Sequence, residues 1–296
     1  MPFEILNNFL LVLGLSPSQF NEPWQERLNI FSLFLIFFNV IPQWNCVVWK
    51  IRNGAEFTDY VPNVLFATYS LISFLQFFFF SKNFKEIAEL MKEISKFLTG
   101  DAKIQAEKDE KKFVIFFKFT LLLVIVSDLA SALIETLMSP DHEFLTFNRY
   151  FFDTSHPIVR ALVNFLGLYS LLMIDVGIFC GQISFFNICI HFVSVYQQLR
   201  LKIKKFDETK NESNRKNCIK DFVETHIEIS KMVVKLNESF KTLWTFNYIM
   251  LVFSSSLTFL AFAKNGDLAR LLINVPVVVI GLFVFCYPPD LVSHQV

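Results

Sequence analysis

The chain has 296 residues, 53% hydrophobic and 17% aromatic, with a formal net charge of zero and a mean hydropathy of +0.45. This composition points to a polytopic membrane protein, and with no global basic field nothing argues for a nucleic-acid partner. Five cysteines, at 46, 180, 189, 218 and 286, make neither a metal spacing nor an even disulfide framework, so free thiols are expected.

In chain order, the apolar run 9–15 is short and only Glu4 precedes it, so no secretory signal peptide is expected. Six apolar spans follow, at about 30–49, 61–80, 113–137, 161–190, 242–263 and 271–289. In hydrocarbon every backbone polar group must be satisfied internally, so spans of this length read as helices. The predicted fold class is all-α: one polytopic transmembrane helix bundle over 1–296, surrounded by lipid, with long helices projecting into the cytoplasm. Pro42 and Pro276 fall inside spans and are expected to kink them, with neighbouring helices satisfying the freed carbonyls.

The connections orient the bundle. Segment 81–112 carries eight Lys and segment 192–241 eleven Lys plus Arg, against about six in the three odd connections. The positive-inside rule then places the even connections and both chain ends in the cytoplasm. Within 83–112, Ile87, Leu90, Met91, Ile94 and Leu98 make an apolar face expected to pack on a neighbouring helix or lie on the membrane surface. Segment 202–216 is charge-rich and reads as a solvated loop. Two glycosylation patterns, at Asn211 and Asn237, fall on the side assigned to the cytoplasm and read as chance matches.

The most informative stretch is 218–263. Ile219, Phe222, His226, Ile229, Val233, Leu236, Phe240 and Leu243 recur at steps of three or four and line one helical face. Thr242 then opens 22 residues without a charge and, like the whole stretch, without Pro or Gly. A continuous helix of this length reaches roughly 69 Å at about 1.5 Å per residue, about twice a bilayer core. The reading is a rod that crosses the membrane and stands into the cytoplasm. Its apolar stripe there needs partners, and 192–241 is expected to form an anchor-like segment with Phe222, Ile229, Val233, Leu236 and Phe240 as interface residues.

Enzyme motifs are absent: no P-loop, no GxSxG, no HExxH. No catalytic residue, metal ligand or cofactor is expected. Intramembrane ionisable groups are the sharper signal, because a charge in lipid is costly. Asp128 and Glu135 share a face of the third span with Ser131 between them, and Asp175 falls midway along the fourth. Phe66, Tyr69 and Ser73 follow helical spacing on the second span, and Phe165, Tyr169 and Leu172 on the fourth. The expectation is an outer-leaflet pocket lined by Phe66, Tyr69, Asp128, Ser131, Phe165 and Tyr169, apolar with a few hydrogen-bonding groups. Ordinary bundle packing and an interfacial aromatic belt make the competing reading.

Three stretches carry a family resemblance. They are Tyr150-Phe-Phe-Asp-Thr-Ser-His-Pro157 before the fourth span, the long helix from Asp175-Val-Gly-Ile through Leu199, and Asp221 to Phe262 with His226, Leu236, Asn237, Phe240 and Ser254 to Ser256. Together with Phe285-Cys-Tyr287, their order resembles the insect odorant receptors, an N-in family of seven-span subunits. Two departures stand out: Pro288-Pro289 follows the Cys-Tyr pair where the family has a small residue, and the chain stops before the seventh span. The resemblance therefore implies an incomplete or alternatively ended member, which even beside a co-receptor is not expected to conduct. It also implies a ligand-binding subunit of an odorant-gated cation channel, assembled with a co-receptor as a hetero-tetramer in the plasma membrane of sensory neurons. The implied ligand is a small volatile hydrophobic molecule, held in the outer half between spans two, three, four and six.

Three other readings compete. A gustatory receptor shares the plan, but Asp153-Thr-Ser-His-Pro157 argues against it. A secondary transporter would show internal repeats, and none is visible. A non-conducting membrane scaffold is the third.

Overall fold

The structure is a computed structural model that describes residue 15, residues 23–138, 149–208 and 212–265, and residues 286, 287, 290 and 292. Five long helices account for nearly all of it: α1 (Pro23–Arg52), α2 (Phe57–Phe97), α3 (Gly100–Met138), α4 (Pro157–Glu208) and α5 (Glu212–Asn265). The fold class is thus an all-α membrane bundle. The helices Pro23–Arg52, Asn63–Phe97 and Pro157–Lys204 are each long and apolar enough to cross a bilayer. Below, "inner" and "outer" follow the Lys/Arg assignment.

Local chemistry sets the helix ends. Pro23 and Pro157 open α1 and α4, where the missing N–H costs nothing and the fixed φ suits a first turn. Lys50 and Arg52 sit in the last turn of α1, against its negative dipole end. Asn53 Nδ2 donates to the Trp49 carbonyl at 2.9 Å, and Gly54 turns the chain at φ 71°, a conformation costly for any residue with a Cβ. At the inner end, Leu98 leaves the helix with ψ 116° and Gly100 enters α3 at φ 54°. Pro42 lies inside α1, which remains one helix around it.

Helix α2 is the hub: it packs on α1, α4 and α5, while α3 lies against α4. Phe77, Phe80 and Phe84 of α2, Phe117 of α3, Phe186 and Phe192 of α4 and Phe240 of α5 are all fully buried. Their rings interlock across helices, as in Phe113–Phe186 at 4.4 Å, Phe185–Trp244 at 4.3 Å and Phe185–Phe240 at 5.2 Å. Several of the 38 Phe therefore form a packed core beneath the outer half, rather than serving only as lipid-facing filler.

Two sequence expectations change here. Segment 83–112 is not one amphipathic piece. It is the end of α2 and the start of α3, broken at Leu98-Thr99. The loop expected over 202–216 is mostly helix, because α4 runs to Glu208 and α5 starts at Glu212. Its lysines leave the helix intact because a charged helix stands in water as readily as a loop, and cross-helix ties hold it. Lys202 Nζ meets Asp221 Oδ2 at 2.9 Å, and Gln198 Nε2 donates to Thr99 Oγ1 at 2.5 Å.

Candidate ligand and assembly sites

Helix α1 buries a row of polar residues among apolar ones and turns an apolar face outward. Gln25, Ser32, Asn39, Gln43 and Cys46 are buried, while Ile30, Phe31, Phe34, Phe37, Ile41 and Val48 are 40–58% exposed. That inversion is what a lipid-facing helix requires. The buried row meets α2 through a ladder of hydrogen bonds. Asn29 Nδ2 donates to Ser81 Oγ at 3.1 Å near the inner end. Near the outer end, Lys50 Nζ donates to Asn63 Oδ1 at 2.8 Å, and Asn63 Nδ2 to Cys46 Sγ at 3.5 Å. Ser170 Oγ of α4 joins from the side, donating to the Leu35 carbonyl at 3.0 Å. Asn39, Gln43 and Asn63 carry no charge, so a reading of the spans by charge passes over them. The signal was present as amides at helical spacing.

At the outer end Arg149 and Tyr150 lie against α1. Arg149 N–H donates to the Pro42 carbonyl at 3.0 Å, and Asn45 Nδ2 to the Arg149 carbonyl at 2.8 Å. The Arg149 guanidinium lies 3.9 Å from the Trp49 ring centre, a cation–π contact. Asp153 accepts the Ser155 N–H and hydroxyl, both at 2.8 Å, which holds its carboxyl below the usual carboxylate range.

Of the expected ligand residues, Tyr69 and Tyr169 are half-buried and pack on the apolar core. Phe66 is half-buried too. Ser73, one turn beyond Tyr69, is buried and donates to the Tyr69 carbonyl at 2.6 Å. The structure does not draw Phe165 inward: its side chain is 64% exposed. Asp128 and Ser131 lie on α3, but their side chains, with those of Glu135 and Asp175, are outside the described residues, as is nearly all of 271–289.

Helix α5 runs unbroken from Glu212 to Asn265, as its lack of Pro and Gly predicted. Ile229, Leu236 and Phe240 are buried and Phe222 and Val233 half-buried. Their cover comes from this same chain. Phe240 stands 6.5 Å from the Phe80 ring, Asn83 Nδ2 donates to the Ser239 carbonyl at 3.1 Å, and Lys235 pairs with Glu93 at 3.6 Å. Higher up, Gln76 Nε2 donates to Asn247 Oδ1 at 2.7 Å with both amides buried, a polar tie between α2 and α5 worth on the order of 1 kcal/mol in a membrane. Ile219, expected on the buried stripe, is instead exposed; with Val223, Ile227 and Val234 it belongs to a second row, 46–58% exposed, turned away from that stripe. Ile227 and Val234 border an open groove of about 380 Å³ with Ser230 and Lys231.

Comparison with known proteins places this geometry. The family described as 7tm odorant receptor matches residues 53–296. The chain belongs to the odorant receptor family. Among solved structures, it superposes on the insect olfactory receptor OR5 from Machilis hrabei with a TM-score of 0.79 at 12% identity, over 98% of this chain and 79% of that one. The same receptor in complex with eugenol gives a TM-score of 0.76 at 13% identity, with the same coverage. Comparison with curated proteins gives no match. At these identities the structural likeness speaks for the fold, and the family membership of this odorant receptor rests on the sequence match.

Proposed function

We propose that this odorant receptor is the ligand-binding subunit of an odorant-gated cation channel, assembled with a co-receptor as a hetero-tetramer in the plasma membrane of sensory neurons. Family membership over most of the chain is the observation that carries this reading. A small volatile hydrophobic molecule binds in the outer half, between α2, α3, α4 and the span at 271–289. Tyr69, Tyr169 and Phe66 supply aromatic surface there, and Asp128 and Ser131 the polar contacts. Phe165 stands at the rim. The eugenol complex of the Machilis hrabei receptor supports a ligand of this class.

Binding gates the channel only if it favours the open arrangement differentially. Helix α5 connects the two ends, and its inner half supplies the subunit contacts. The buried stripe from Phe222 to Phe240 shapes that half, and the exposed row Val223, Ile227 and Val234 meets the neighbouring subunit.

The test is co-purification with a tagged co-receptor, with and without a panel of volatile odorants, plus the thermal stability of the recovered complex. Recovery with the co-receptor and stabilisation by at least one odorant are expected. A chain that is stable, is never recovered with the co-receptor and is unmoved by the panel would point to the membrane-scaffold reading instead.

A further inference from the structure

Gln43 sits on the buried row of α1 with no exposed surface, and neither of its amide atoms has a hydrogen-bond partner among the described residues. The same is true of the Ser70 hydroxyl on α2. Ser32, Ser73 and Ser184 satisfy themselves on the carbonyl one turn back, of Leu28, Tyr69 and Cys180, and Ser170 bonds across to Leu35; the Ser70 hydroxyl, like that of Ser239, does neither. Buried polar atoms in a lipid-surrounded bundle are costly without partners, and native structures resolve nearly all of them.

The register brings the two residues within one helical turn of each other. Asn29–Ser81, Phe37–Phe74 and Asn63–Cys46 pair α1 and α2 in antiparallel order, which sets Asn39 opposite Ser70 and Gln43 one turn further out. Helical side chains lean toward the N-terminus of their own helix. The N-terminus of α1 is inner and that of α2 is outer, so Gln43 leans inward and Ser70 outward, toward each other.

We propose that the α1–α2 seam is a seat for one hydroxyl group shared by Gln43 and Ser70. A hydroxyl donates and accepts at once. It gives its proton to Gln43 Oε1, accepts from Gln43 Nε2 and closes the set on Ser70 Oγ, within the two to four partners a buried water takes. Its source is an internal water or the hydroxyl end of a small alcohol or phenol. The alcohol source rests on the odorant-binding reading; the water source does not.

Thermal unfolding of the full chain in detergent micelles tests the seat, using Gln43→Met, Ser70→Ala and the double variant. Each single change is expected to lower the Tm by about 2–4 °C. The double variant should fall no further than the larger single one, because both remove the same shared group. A higher Tm for Gln43→Met, or single effects that simply add, overturns the proposal: the amide is then unsatisfied, or the two residues are independent. Ser70→Ala removes one atom, so the comparison survives if Gln43→Met fails to fold: an unchanged Tm for Ser70→Ala then overturns the seat. Hexanol and hexane separate the sources. Stabilisation by hexanol but not hexane, lost in Gln43→Met, assigns the hydroxyl to the ligand. Equal responses to both, with the non-additivity intact, assign it to water.

Discussion

At the scale of single residues, Tyr169 is the sharpest test of the ligand site. It is half-buried on α4 against the apolar core. Truncation removes part of the aromatic surface that a Tyr can bury. Tyr169→Ala is expected to weaken odorant affinity about tenfold, equivalent to ~1.4 kcal/mol. Lys220→Ala, at an exposed position of the inner end, should leave it unchanged. Odorant-induced thermal shifts across a concentration series measure both; equal affinities for the two variants would remove Tyr169 from the pocket. A second residue-scale test concerns His191 and Glu110. His191 Nδ1 lies 2.8 Å from the Asn187 carbonyl and so carries a proton there, which turns Nε2 toward Glu110 Oε2 at 3.7 Å. Both side chains are buried, so the Glu110 carboxyl is a polar group facing Nε2 in an otherwise apolar place. Glu110→Gln keeps an N–H for Nε2 and should stay close to the parent stability. Glu110→Ala should cost about 1–3 kcal/mol by stranding a buried imidazole. Urea unfolding of the two variants decides it, and matching losses would show that the pairing is unimportant.

At the scale of elements, α5 separates folding from assembly. Leu236 is 6% exposed in the chain's own core, whereas Val234 is 58% exposed on the second apolar row. Leu236→Asp should abolish folded protein, because a charge enters an apolar contact. Val234→Asp should leave the folded subunit intact yet lose the co-receptor, and Glu228→Lys should retain both. Size-exclusion profiles and co-purification report the two properties separately. Loss of monomer folding in Val234→Asp would sink the division of faces. This division also marks how far the sequence could be read. The stripe through Ile229, Leu236 and Phe240 was legible because 3.6-residue periodicity survives any packing partner. What covers it was not, because register between helices depends on distant pairs such as Asn83 with Ser239. The solvated loop expected at 202–216 failed for a related reason: Lys-rich composition cannot tell a loop from a helix standing in water. The rows of aromatic residues were legible as spacing on α2 and α4, yet spacing alone does not turn Phe165 inward.

At the scale of the whole molecule, the orientation of the bundle is open to direct chemistry. Cys218 is an exposed native thiol on the Lys-rich side, and Cys286 is the other exposed one among the described residues. In a Cys286→Ser background, a membrane-impermeant maleimide should label Cys218 only after permeabilisation. Asp153→Cys, introduced with Cys218→Ser, should label in intact cells, because Asp153 is exposed at the opposite end. The reverse pattern would invert the topology drawn from the Lys and Arg asymmetry.

The unbroken run of α5 also has a mechanical consequence. Its 54 residues carry neither Pro nor Gly, so the element has no joint at which a rotation could dissipate. At about 1.5 Å per residue it is a lever roughly 81 Å long, and a tilt of about 5° pivoted at one end displaces the other by about 7 Å. Under the proposed assembly, a change of tilt set at the outer end is carried whole to subunits that grip the inner end.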